Sequence, residues 1–220
     1  MNTIIDQIAE CIENGKVNLS SPYPPQMKGQ PGADELTCQA LEEGVTPGDI
    51  LNQALVPAMN RVGQKYTENK IFVPQMLLSA KAMSASMAHL KPYFQSGEIQ
   101  RKGVLIMGTV MGDLHDIGKN LCCMMVEGAG WEVIDLGVDV KPEQFVTALD
   151  EHPNAVVGLS ALLTTTMVNM GNIINTIRQK HPNTKVAVGG APLNNDFAIS
   201  VGANSYGKDP QELITWLNQN

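Results

Sequence analysis

The sequence predicts two folding units in succession, a bundle of four helices and then a doubly wound parallel α/β sheet. Three observations carry that reading. Apolar residues recur at helical spacing as far as Pro92, a polar stretch then interrupts them, and short continuous apolar runs take over, each separated from the next by room for one helix. The expected boundaries are 1–94 for the helical unit, 95–102 for the connection and 103–220 for the sheet unit.

The first helix is marked by Ile4, Ile5, Ile8 and Ile12 and is stopped by Gly15. Leu36, Ala40 and Leu41 begin a second, which Gly44 can end. Thr46 followed by Pro47 reads as an N-cap and first helical position, after which Leu51, Leu55, Ala58 and Val62 form an apolar face. Pro74 opens the fourth helix, with Leu77, Ala80, Met83, Met87 and Leu90 on one side. The stretch from Asn18 to Gly32 is rich in Pro, Ser and Gly and is expected to be a loop.

Beyond Lys102 the runs Val104 to Met107, Val133 to Leu136, Ala155 to Leu159 and Val186 to Val188 suit strands buried on both faces of a parallel sheet. A fifth strand around Ser205 and Tyr206 and a helix from Pro210 to Leu217 complete five βα units. The expected architecture is a flavodoxin-like sheet, whose ligands lie at the C-terminal ends of the strands near the switch point.

Composition narrows the function. A net charge of -7 with pI near 5.0 argues against nucleic-acid or anionic-membrane surfaces, which need clustered Lys and Arg. No apolar run is long enough to span a membrane and the first residues carry Asp6, Glu10 and Glu13, so a cytoplasmic protein is expected. Cys11, Cys38, Cys122 and Cys123 lack the spacing of a disulfide framework or a thiolate zinc site, and reduced, packed thiols are expected.

The loop after the first sheet strand runs Met111-Gly112-Asp113-Leu114-His115-Asp116-Ile117-Gly118-Lys119-Asn120 and sets one imidazole among carboxylates at the functional edge. Alone, it is equally what a capped polar loop would look like, and one His with two Asp makes a poor transition-metal set. Two further strand ends add to it. Gly158-Leu159-Ser160-Ala161-Leu162-Leu163-Thr164-Thr165-Thr166 and Val188-Gly189-Gly190-Ala191 are small and hydroxyl-rich, although each is also what a tight turn needs.

In this order, Asp113-x-His115-x-x-Gly118, Ser160-x-Leu162 and Gly189-Gly190 resemble the cobalamin-binding motifs of methionine synthase, corrinoid methyl carriers and some adenosylcobalamin mutases. Met59-Asn60-Arg61-Val62-Gly63 and Phe72-Val73-Pro74-Gln75 are similar to the helical cap of the methyl-transferring branch. The resemblance implies cobalamin or a related corrinoid bound base-off, with His115 as the lower cobalt ligand and Asp113 and Thr166 or Ser160 as a relay behind it. It implies cofactor contacts from Gly112, Asp113, Leu114, His115, Asp116, Gly118, Ser160, Leu162, Thr164, Gly189, Gly190 and Ala191, with the nucleotide tail against glycine backbone and Phe72 over the methyl group. For Met76, Met83 and Met87, ordinary helix packing is the simpler expectation.

A carrier of this kind has no catalytic barrel of its own, since a barrel takes about 250 residues. The resemblance therefore implies three partners: a substrate-specific methyltransferase, an acceptor methyltransferase and a reductive activation protein of an anaerobic system. The competing reading is the cobalamin subunit of an adenosylcobalamin mutase, for which an N-terminal helical cap is not expected. A cobalamin sensor would need an output module that the sequence lacks, and a cofactor-free interaction domain would leave the motif triplet unexplained.

Overall fold

The structure, a computed structural model, describes residues 3–219, whose contacts separate into two units. One comprises the chain up to Arg101 together with Gly128–Gly130, the other Lys102–Glu127 and the chain from Trp131 onward.

The first unit is helical. α1 (Ile4–Asn14) starts in a capping box, Thr3 Oγ1 accepting from the Asp6 N–H and Asp6 accepting in return. α2 (Ala33–Glu42) follows the Pro-rich loop, which contains one short helical turn (Pro25–Met27). α3 (Pro47–Asp49) begins at the Thr46 cap and continues through a π-helical stretch (Ile50–Leu55) into α4 (Val56–Thr67). The wider stretch falls just before Pro57, which has no N–H to give a carbonyl four residues back, and the Val56 N–H instead reaches Leu51. α5 (Val73–Gln95) runs past Pro92, where the sequence had suggested an end; the proline stands in the last turn, where it removes one N–H from the ladder while its carbonyl still accepts the Ser96 N–H.

α1 packs on α2, α4 and α5, and α2 on α5. Ile8, Ile12, Leu36, Ala40, Val62, Met76, Ala80, Met83 and Leu90 are buried. Within that apolar setting Thr37 donates to Ser86 across 2.8 Å and Ser86 to the Ala33 carbonyl across 3.2 Å, so the buried hydroxyls of α2 and α5 are satisfied together. The stretch after α5 is folded back on it: Ile99 is buried, its N–H bonds the Tyr93 carbonyl, and the Arg101 guanidinium lies 4.3 Å from the Phe94 ring centre.

The second unit alternates strand and helix: β1 (Val104–Thr109), α6 (Ile117–Gly128), β2 (Glu132–Asp135), α7 (Pro142–Glu151), β3 (Val156–Ser160), α8 (Thr164–Met167) with α9 (Asn169–Lys180), β4 (Val186–Gly189), α10 (Asn195–Ser200), β5 (Ser205–Gly207) and α11 (Pro210–Leu217). All five strands are parallel in the order β2-β1-β3-β4-β5, the flavodoxin-like order expected. Phe145, Leu149, Ile173, Ile174 and Ile177 of α7 and α9 cover one face over Ile106, Val157, Leu159, Val186 and Val188. β2 is only half-buried, since as an edge strand it has one neighbour. No helix among the described residues is long and apolar enough to cross a membrane.

Register fixes the functional edge. Thr109 pairs with Ser160, Ser160 with Gly189 and Gly189 with Gly207, so one row of small residues ends four strands together. The chain leaves β1 and β3 on opposite sides of this row, and the crevice between those strand ends is the switch point.

Candidate cofactor site at the switch point

The loop between β1 and α6 is held by backbone before any side chain acts. The Val110 N–H bonds the Ser160 carbonyl, the Asp113 N–H bonds the Val110 carbonyl, and the Asp139 N–H bonds the Asp113 carbonyl. Gly112 turns through φ +84° and gives its N–H to Asp139 Oδ1 across 2.7 Å. Thr109, fully buried, donates to the His115 carbonyl across 2.9 Å.

These constraints aim Asp113 inward and His115 outward. Asp113 is 0% exposed, whereas the His115 side chain is 50% exposed. Oδ1 of Asp113 accepts from the His115 N–H (3.1 Å) and lies 2.7 Å from Nδ1 of the imidazole. Oδ2 accepts from Thr166 Oγ1 (2.6 Å) and from the N–H groups of Leu162 (2.8 Å) and Leu163 (3.3 Å). Burial by itself would raise the Asp113 pKa, but the bonds from Thr166, Leu162 and His115 hold the carboxyl far below the usual carboxylate range. A permanent carboxylate fixes the proton on Nδ1, which leaves the Nε2 lone pair for a metal.

Of the hydroxyls considered from sequence, Thr166 makes the bond to Asp113, while Ser160 contributes its carbonyl to the β1 loop. Asp116 is exposed and bonds Asn120 through both backbone and side chain at the start of α6. Leu114 and Ile117, neighbours of His115 in the chain, are 71% and 69% exposed, and Leu162, Leu163 and Val168 are also open to solvent, an apolar rim unusual around a polar loop. Thr164 and Ala191 are exposed at the same strand ends. Phe72 belongs to the first unit, where it precedes α5 and is 64% exposed.

The glycines divide by what occupies the space of a side chain. A β-carbon on Gly118 would meet nothing within 4 Å, so space is open there. On Gly158 it would come 2.4 Å from Met107 Sδ, and on Gly190 1.8 Å from the Ala161 carbonyl oxygen, with φ at +140°. Those two are therefore required by the sheet's own packing, not only by a ligand slot. Gly189 is tight against the Gly207 carbonyl at 3.0 Å.

Sequence reasoning missed Lys119 and Asp135. Lys119, 2% exposed in the first turn of α6, donates to Asp135 Oδ2 and Asn120 Oδ1. A lysine after a loop glycine looks solvated in sequence, and nothing local announces its burial. Asp139, in left-handed backbone at φ 54°, was likewise invisible. Among the described residues no group of three His, Cys, Asp or Glu side chains is placed to hold a metal ion, so a metal on His115 would bring its other ligands with it. Burial pushes the thiols of Cys122 and Cys123 up to about 12, as packed cysteines require.

Residues 103–213 and residues 30–91 each match a family described as B12 binding domain. A corrinoid protein of Desulfitobacterium hafniense strain Y51 is 36% identical over 99% of this chain and 97% of its own length. Trimethylamine corrinoid protein 1 of Methanosarcina mazei is 34% identical over 83% of this chain and 87% of its own. Among solved structures, one of the methanol:cobalamin methyltransferase complex MtaBC from Methanosarcina barkeri superposes with TM-score 0.79 and 28% identity, covering 96% of this chain and 77% of that one. With an outward imidazole backed by a buried carboxylate, an apolar rim and these relatives, the chain belongs to the corrinoid proteins that carry B12-binding domains, and its cofactor is cobalamin or a related corrinoid.

Proposed function

We propose that this chain is a methyl carrier that holds its corrinoid base-off with His115 as the lower axial ligand. It would pass a methyl group from a substrate-specific methyltransferase to an acceptor methyltransferase, with a reductive activation protein restoring the reduced cofactor. The observation that carries this is the pairing of Asp113 and His115: a fully buried carboxylate fixes Nδ1 of a half-exposed ring and leaves Nε2 facing outward. Relatives named trimethylamine and dimethylamine corrinoid proteins, and the structural likeness to the MtaBC complex, support methyltransferases as the partners.

Bound cobalamin supplies a cobalt centre that accepts and gives up methyl groups, and that chemistry is the cofactor's own. The protein's residues do the rest. His115 presents Nε2, Asp113 keeps the proton on Nδ1, and Thr166 with the Leu162 N–H holds Asp113 in place. With a corrinoid bound, His115 would hold its metal through Nε2, and the Asp113 carboxylate behind Nδ1 would balance positive charge on the ring. Leu114, Ile117 and Leu162 offer apolar surface to the corrin ring and keep water from it, and the open space at Gly118 suits the displaced nucleotide tail. The helical unit, taken as a movable cap, would bring Phe72 over the methyl group and withdraw it for each transfer.

The test is to add hydroxocobalamin to the purified protein and record visible spectra before and after acid unfolding. A protein-bound spectrum that changes to the acid form on unfolding is expected. Failure to retain the cofactor through gel filtration contradicts the reading.

A further inference from the structure

Lys119 is in an energetically poor position: its ammonium is buried, and it stands in the first turn of α6, where the helix dipole already disfavours a cation. Its compensation is Asp135 at the end of β2, whose side chain is 40% exposed and whose other oxygen accepts the Gly137 N–H at 2.8 Å. From there hydrogen bonds run to the backbone of the His115 loop. The Gly137 carbonyl accepts the Thr109 N–H, Thr109 Oγ1 donates to the His115 carbonyl, Asp139 gives its N–H to the Asp113 carbonyl, and Asp139 Oδ1 accepts the Gly112 N–H.

We propose that Lys119 and Asp135 form a positioning pair for the cobalt ligand: the ion pair, buried at its lysine end and open to solvent at its carboxylate, fixes residues 136–140, and that segment sets the height and angle of His115 in its loop. This rests on the reading of His115 as lower ligand, and it adds residues that never touch the cofactor. The pair joins the helix that follows the His115 loop to the strand whose own exit loop braces it, so the loop is held from both sides. An ion pair suits this better than apolar packing, because a buried ammonium left without its carboxylate is strongly penalised and other arrangements are thereby excluded.

The test needs the apo protein first. In Lys119→Met, amide hydrogen exchange at Gly112, Gly137 and Asp139 should quicken by roughly tenfold or more, while Val157 and Ala161 in the β3 region stay as in wild type. The Nδ1–H proton resonance of His115 should broaden in the same variant. Asp135→Asn, at a position open to solvent, is read the same way and decides the matter if Lys119→Met does not fold. After loading with hydroxocobalamin, both variants should retain the cofactor with a smaller His-ligated fraction in the visible spectrum. Unchanged exchange at the three loop amides, or equal acceleration at Val157 and Ala161, overturns the proposal. If instead His115→Gln loads with a wild-type spectrum, the lower-ligand reading fails while the exchange result still judges the brace.

Discussion

The hydroxyl of Thr166 donates to Oδ2 of Asp113 across 2.6 Å, tying the helix after β3 to the loop after β1. Thr166→Val keeps the shape and removes the donor, which should lower the stability of the sheet unit by about 1.5–3 kcal/mol at neutral pH. Asp113 has a folded pKa below its ordinary 3.8, so its contribution is full above that value and is lost as pH falls through the folded value. The variant raises the folded value, and its deficit should therefore shrink in acid. Urea unfolding followed by tryptophan fluorescence checks this, because Trp131 and Trp216 both lie in the sheet unit. Equal midpoints at neutral pH would rule the bond out as a stabilising contact.

Asp113→Asn tests the tautomer. Every partner of the carboxylate is a donor, three on Oδ2 and two from His115 on Oδ1, so an amide NH2 must face a donor whichever way it turns. Turned toward the imidazole, it requires Nδ1 to accept and moves the ring proton to Nε2. We expect nitrogen NMR of the apo variant to show that exchange of tautomer, with cofactor still bound but His ligation weakened. A variant with the wild-type tautomer would show that Asp113 does not set it.

The glycines give opposite expectations at similar positions. Gly190→Ala places a methyl on the Ala161 carbonyl in left-handed backbone and should cost several kcal/mol or prevent folding. Gly118→Ala, inside α6 with open space around it, should instead stabilise the apo protein by about 0.5–1 kcal/mol. If the cofactor uses that space, the same change weakens cobalamin binding. Thermal melts and cobalamin titrations of the two variants separate packing glycines from ligand glycines.

A fragment of residues 102–220 should be soluble and bind cobalamin, with its reduced cofactor oxidised faster than in the full chain. The cut belongs before Lys102 and not at residue 95, since Ile99 and Arg101 pack onto the end of α5. Phe72→Ala should leave stability nearly unchanged, its ring being mostly exposed, and move oxidation part of the way toward the fragment. Stopped-flow oxidation rates check both. Equal rates in all three proteins would remove the covering role assigned to the helical unit.

Much of this was legible in the sequence because the signals are local. Thr46 with Pro47 caps α3, Pro210 opens α11, and the aliphatic runs mark strands that are buried because they are central. The β2 run reads like the others, yet only pairing order reveals it as an edge. The three motif segments were legible, and the structure brings them to one sheet edge, but the choice of Thr166 over Ser160 as the Asp113 partner depends on how the chain turns after β3. Gly158 and Gly190 looked like ligand space, and the contacts that account for them come from Met107 and Ala161, neighbours across the sheet that are remote in sequence. The Lys119–Asp135 pair spans separate elements and leaves no pattern at either position.

The central claim is that Nε2 of His115 ligates cobalt, and electron paramagnetic resonance of the bound cofactor reduced to cobalt(II) tests it most directly. Protein grown with nitrogen-15 histidine should convert the triplet splitting of each cobalt line, caused by one axial nitrogen-14, into a doublet, and labelled His115→Gln should lose that doublet. A triplet that persists in the labelled wild-type protein, or a doublet that persists in labelled His115→Gln, would place another nitrogen on the metal and contradict the account.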